Sequence, residues 1–340
     1  MPKAPPTITG ELALIEHIRR SFPARNRSVA LGIGDDCAIL RPPPGHEILV
    51  TTDFSLENRH FRRDLHPPAA AGHRCLARGL SDLAAMGATP LAAFLSLALP
   101  PSLLHKKRGR TWLDGFLSGI RSLARHHNTA LAGGDTSESP ADLILADIVL
   151  VGSAPRGRAL RRSTAKPGDA IYVTGSLGGA HVELTALLTS NRVARITSQQ
   201  NHPHFFPQPR LEVGSTLLRR RLAAAAIDLS DGLSTDLTHL CEASHVRAEI
   251  DASSLPLQPL AAKLTSGEAL HAALHGGEDY ELLFTAPATR RVPRSIAGVS
   301  ITRIGSMLKA TSRKPRITLI DEQGHRFPLG PGGWEHLSAR

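Results

Sequence analysis

Leu31-Gly32-Ile33-Gly34-Asp35-Asp36-Cys37-Ala38 sets two adjacent carboxylates between glycines and a short apolar run. Adjacent aspartates repel, so the pair needs a counter-charge or plentiful water. Glycine lets the backbone come close to a ligand. Alone, Gly-Asp-Asp would read as a polar turn between strands. Four further stretches share its composition: Thr51-Thr52-Asp53, Leu80-Ser81-Asp82-Leu83, Gly133-Gly134-Asp135-Thr136 and Asp228-Leu229-Ser230-Asp231-Gly232. In each, an Asp stands beside Ser, Thr or Gly at the edge of an apolar run. Together they read as carboxylates brought from strand ends and helix starts to hold hard cations. That implies sheets whose strand ends share a cleft.

Working outward, Glu47 to Thr52 reads as a strand delivering Asp53, and Thr129 to Ala132 as one running into Gly133-Gly134-Asp135. Leu91–Leu99 and Leu143–Val151 read as buried strands. Gly10–Arg20 reads as a helix packing Leu12, Leu14, Ile15 and Ile18. A second helix follows Pro67-Pro68 to about Met86, with Leu76, Leu80 and Leu83 on one face. Asp82 lies off that stripe, where its plain alternative is an i,i+4 pair with Arg78. Trp112, Phe116, Ile120 and Leu123 mark a third. Gly/Pro/Arg-rich sequence at 152–168 divides the chain, giving an N-terminal domain over 1–152 and a C-terminal domain over 153–340. The second half restarts with the strand Ala170–Thr174. Gly175-Ser176-Leu177-Gly178-Gly179 then opens a helix whose N-terminus could take an anion. Residues 190–209 read as a polar surface connection. Ala223–Ile227 delivers Asp228, and Ser230 or Asp231 is expected to cap the next helix.

Composition narrows the class. The chain has 340 residues, 41% of them hydrophobic, enough for two ordinary cores. No apolar run reaches the ~20 residues of a membrane helix. Met1-Pro2-Lys3-Ala4-Pro5-Pro6 has no apolar signal core, and Cys37, Cys75 and Cys241 suit neither a disulfide frame nor a zinc site. A cytoplasmic setting without membrane contact is expected. The formal charge of +10 is scattered, and aromatic residues are only 4%, which disfavours a nucleic-acid platform.

Carboxylates at strand ends suit Mg²⁺, which takes hard oxygen ligands and pairs with phosphates. Several carboxylates facing a polyphosphate would repel it unless metal lay between. Multi-Mg²⁺ nucleotide chemistry is therefore the sharper expectation. Arg158, Arg161 and Arg162 are candidate phosphate clamps, equally readable as a solvated charge run.

The chain resembles the thiamine-monophosphate kinase family, of the superfamily that includes aminoimidazole ribonucleotide synthetase, selenophosphate synthetase and a hydrogenase maturation protein. The resemblance runs from Gly10-Glu11-Leu12 through Asn58-Arg59-His60-Phe61 and Leu80-Ser81-Asp82-Leu83-Ala84-Ala85-Met86-Gly87-Ala88. It continues through Lys166-Pro167-Gly168-Asp169 to Gly276-Gly277-Glu278-Asp279-Tyr280-Glu281-Leu282. Gly79 departs from the more usual Asn before Leu80.

What the resemblance implies is an α/β (mixed α+β), two-domain, aminoimidazole ribonucleotide synthetase-like architecture, with N-terminal sheet domains that pair in a homodimer. The implied reaction is ATP- and Mg²⁺-dependent phosphorylation of thiamine phosphate. The implied metal ligands are Asp36, Thr51, Thr52, Asp53, Asp82, Asp135, Asp228 and Asp231, holding several ions. Gly134, Asp135, Arg162 and Ser230 would meet ATP; His60, Glu278 and Trp334 would meet the thiamine phosphate. The acceptor, a phosphate with second pKa ~6, is largely dianionic near neutrality and needs no general base.

Overall fold

The computed structural model describes residues 10–22, 26–192, 196, 202–311, 315–335 and 337. The N-terminal stretch and much of 190–201 thus lie outside the described residues. The chain forms two compact units. Of the described residues, the first unit holds those within Met1–Gly79, Pro90–Ser153 and Arg192–Thr197. The second holds those within Leu80–Thr89, Ala154–Asn191 and Ser198–Arg340.

The first unit begins with α1 (Glu11–Ser21), β1 (Val29–Leu31), β2 (Ile39–Leu40) and β3 (His46–Leu56). Leu14 and Ile18, one turn apart, are buried, whereas Leu12, expected to pack, is 82% exposed. α2 (Pro68–Ala85), whose residues from Leu80 on count with the second unit, β4 (Thr89–Leu99), α3 (Pro101–His105), α4 (Lys107–His126), β5 (Ala130–Glu138) and β6 (Leu145–Pro155) follow. One sheet runs β3-β6-β4-β5, with β4 and β5 parallel.

Two strands run longer than the sequence suggests. β3 continues through Thr51-Thr52-Asp53, and β5 through Gly133-Gly134-Asp135, so these aspartates sit inside strands. The cause in β5 is glycine. A Cβ at Gly134 would lie 1.9 Å from the Leu95 carbonyl oxygen, and φ there is +149°. Only glycine lets the parallel strands close at that register. Small residues also govern the helices: a Cβ at Gly72 would lie 1.9 Å from the Phe116 carbonyl oxygen, and one at Gly119 2.0 Å from that of Ala69. A Cβ at Gly79 would come within 2.9 Å of the Leu150 side chain of β6, a looser contact than those two.

The second unit contains β7 (Asp169–Thr174), α5 (Gly179–Ser190), α6 (Leu211–Arg219), β8 (Ala225–Asp228), α7 (Leu233–Ala243) and β9 (Val246–Asp251). α8 (Ser266–His275), β10 (Leu282–Pro287), β11 (Ser295–Ile296), β12 (Val299–Lys309), β13 (Ile317–Ile320) and β14 (Arg326–Leu329) complete it. Its sheet runs β14-β13-β9-β12-β7-β10-β8, with β11 on β12. The β13–β9 pair is parallel and its other pairs antiparallel, so the fold is mixed. Leu237, Leu240 and Cys241 of α7 pack with Ile171, Ile227 and Ile250 of the strands.

His204, Phe205 and Phe206 are buried, at 1%, 3% and 6% exposure, so that part of the expected surface connection is core. Among the described residues no helix is long and apolar enough to cross a membrane.

Candidate active site

In the first unit, Asp36 lies in an exposed loop, its amide held by the Asp35 carboxylate at 2.8 Å. Strand alternation divides the next three candidates. Thr51 and Asp53 share a face of β3 with buried Leu49 and Ser55, while Thr52 faces the other way. There its hydroxyl donates to Asp147 of β6 at 2.7 Å. The Arg78 guanidinium lies 3.7 Å from Asp53. Asp135 accepts the Thr136 amide at 2.9 Å. The His60 ring accepts the Leu56 amide through Nδ1 at 3.0 Å, which fixes the ring on the turn after β3.

In the second unit three stretches distant in sequence are laced together. The Glu278 amide donates to Ser230 O at 2.8 Å, the Tyr280 amide to Leu229 O at 2.9 Å, and the Trp334 amide to Asp231 O at 3.0 Å. A Cβ at Gly333 would lie 1.8 Å from Asp231 O, so glycine is what lets the C-terminal segment close. Ser230, Asp231, Glu278 and Trp334 thus meet, and Trp334 keeps 42% of its surface exposed. Glu278 and Tyr280 take positive φ, +68° and +50°. Strain of that kind concentrates at functional sites. Asp228 ends β8 and accepts the Ser81 hydroxyl at 2.7 Å, which ties it to the turn of α2 bearing Asp82. Arg158, Arg161 and Arg162 are exposed.

The expected cap at the start of α7 is corrected. Gly232 takes the cap position without a side-chain bond. Asp236, inside the first turns, accepts the Asp231 and Gly232 amides at 3.1 Å each. Burial, then the charges of Asp228 and Asp231, push the Asp236 carboxyl well above the usual carboxylate range. Like charges are crowded here. The available donors are hard oxygens, and burial pushes the Cys75 and Cys241 thiols up to about 12. That set fits Mg²⁺, not a soft metal. Among the described residues, no three His, Cys, Asp or Glu side chains form a ready cage. His271 and His275, a His-x-x-x-His pair, lie one turn apart on α8, and His275 is bonded to Ser234.

Two carboxylates of the Gly-Gly-Glu-Asp-Tyr-Glu-Leu string acquire roles the sequence did not assign. Asp279 accepts the Gly178 and Ala180 amides at 2.7 and 3.3 Å. The acceptor at the N-terminus of α5 is therefore a carboxyl group of the protein itself. Burial raises the Asp279 carboxyl to about 7, against the pull of those amides. The folded state then holds a proton that the unfolded chain releases near pH 4, so this group's contribution falls as pH rises from about 4 to about 7. Asp279→Asn keeps an acceptor and cannot ionise. Its stability deficit is expected to shrink or reverse between pH 4 and pH 8. Thermal unfolding across that range checks this, and a constant deficit would contradict it. Glu281, also buried, accepts Thr174 Oγ1 at 2.6 Å and is bridged by the Arg210 guanidinium.

Two family models match the chain: AIR synthase related protein, N-terminal domain, over residues 34–154, and its C-terminal domain over 166–305. A thiamine-monophosphate kinase of Salmonella typhimurium is 39% identical over 305 residues, covering 88% of this chain and 90% of that protein. The crystal structure of thiamine-monophosphate kinase from Stenotrophomonas maltophilia superposes with a TM-score of 0.78 at 36% identity, covering 91% of this chain and 96% of that one. A structure described as AaThiL complexed with AMPPCP and TMP superposes with a TM-score of 0.73 at 28% identity, covering 96% and 97%.

Proposed function

The chain belongs to the thiamine-monophosphate kinase family, and on that premise we propose how its residues divide the work. It is an enzyme that phosphorylates thiamine phosphate to thiamine diphosphate with ATP. The observation that carries this is the related structure that binds AMPPCP, an ATP analogue, together with TMP.

The acceptor is a phosphate dianion, so no residue need act as general base. The difficulty is repulsion between acceptor and γ-phosphate. Mg²⁺, when bound, supplies the charge neutralisation that makes close approach of two anions possible. Its proposed donors in the first unit are Asp36, Thr51, Asp53 and Asp135. Thr52 would serve through its main chain, because its hydroxyl is bonded to Asp147. In the second unit the donors are Asp82, Asp228 and Asp231. Gly134, Asp135, Arg162 and Ser230 contact the nucleotide. His60, Glu278 and the exposed ring of Trp334 receive the thiamine phosphate, the last two suiting its cationic thiazolium. These groups hold the reactants for direct in-line transfer, so catalysis is positioning and electrostatics.

Incubation with ATP, Mg²⁺ and thiamine phosphate, with products identified by mass, tests the reading. Thiamine diphosphate is expected, and unphosphorylated thiamine is expected to stay unreacted. Comparable rates with thiamine would defeat the no-base argument.

The protein is also proposed to act as a cytoplasmic homodimer. Ile48, Val50 and Phe54, 45%, 65% and 63% exposed, line one face of the edge strand β3. An apolar stripe of this kind marks a protein interface. A Val50→Lys, Phe54→Glu double variant is expected to halve the mass seen by light scattering; an unchanged mass would rule out this face.

A further inference from the structure

His204 is buried to 1% exposure, and its Nδ1 lies 3.1 Å from Oε2 of Glu278. A carboxylate only accepts, so the imidazole proton in this contact sits on Nδ1. His204 is itself held on another side. Its amide donates to Oε2 of Glu183 on α5 at 2.9 Å, while Oε1 of Glu183 takes the His202 ring. Phe205 meets the His204 ring edge-on, with centroids 5.2 Å apart. Six residues on, Arg210 bridges Glu281. The segment from His202 to Arg210 is therefore fastened to both ends of the Glu278–Glu281 turn.

We propose that His204 is a positioning residue for substrate selection: it fixes the Glu278 carboxylate in the orientation that receives a cationic heterocycle bearing a phosphate. This rests on the reading above that Glu278 faces the thiazolium. Glu278 stands in a left-handed turn, so its backbone is already committed. One pinned oxygen then restricts the side chain before binding, so less freedom is lost on binding. An imidazole N–H can donate to the carboxylate from its neutral tautomer, which leaves the charge of Glu278 to attract a cation. An arginine in the same place would cancel it.

Steady-state kinetics with each substrate varied in turn decide the matter. His204→Phe preserves the buried ring and removes the donor. Its KM for thiamine phosphate should rise about tenfold, with kcat and the KM for ATP changing less than about threefold. His204→Asn, whose amide can reach the Nδ1 position, should recover most of the loss. Should His204→Phe fail to fold by thermal unfolding, His204→Gln takes its place, since its amide falls at the other ring nitrogen, and the same rise is expected. An unchanged KM, an equal rise for both substrates, or an asparagine no better than phenylalanine would overturn the proposal. Glu278→Gln run alongside separates the two failures. If it leaves the KM for thiamine phosphate untouched, the substrate role of Glu278 falls and His204 with it. If it raises that KM while His204→Phe does not, only His204 is refuted.

Discussion

Asp228→Asn is expected to lower turnover by about 10²–10³-fold and to leave the metal-free protein at least as stable as its parent. The two effects have opposite signs because one charge causes both. Asp228 is 6% exposed, and with Asp231 it weighs on the buried Asp236 carboxyl. Without a cation that crowding opposes folding. Asparagine keeps an oxygen for the Ser81 hydroxyl and removes the charge. The same change takes away a hard anionic donor from the proposed magnesium site. Mg²⁺ with ATP should therefore raise the melting temperature of the parent and add less to the variant. Turnover within tenfold of the parent would contradict the assignment. So would a metal-free variant that unfolds well below it.

The candidate acidic sites stand out in the sequence because each combines an Asp with a small or hydroxylic neighbour beside an apolar run. The strands and helices carrying them follow from periodicity over a few residues. Their ends were less legible. The pattern predicts a strand over Thr129–Ala132 running into Gly133-Gly134-Asp135, and glycine normally weakens a strand. β5 continues because Gly134 admits the Leu95 carbonyl, a partner about forty positions away that leaves no local mark. The glycine-led start of α5 reads as a place for an anion, and its amides instead meet the carboxyl group of Asp279, a hundred residues on. The same limit hid Asp147, Asp236 and His204, whose roles exist only once distant strands and turns are brought together.

The largest stability effect is expected at Glu281. Its side chain is buried, bonded to Thr174 Oγ1 at 2.6 Å and to Arg210 Nε at 2.7 Å, and a Cβ at Gly175 would strike its Oε1 at 1.9 Å. The Thr174 hydroxyl also accepts the Leu282 amide at 2.7 Å, so the carboxylate closes the junction of β7 and β10. Removing one partner of a buried ion pair leaves the other charge without compensation, at about 3–5 kcal/mol. Glu281→Ala is thus expected to lower the melting temperature by roughly 6–15 °C. Arg210→Ala alone should cost about as much. The double variant should lose clearly less than the sum, because the second change removes the charge that the first left stranded. A urea-unfolding cycle over the four proteins measures this coupling. A loss under about 1 kcal/mol for Glu281→Ala, or strict additivity, would mean the pair is incidental to the fold. Gly175→Ala offers an independent check, because its methyl group enters the space of the carboxylate and φ there is +57°. It should destabilise the parent markedly and the Glu281→Ala background much less, with only the backbone strain of the left-handed position remaining.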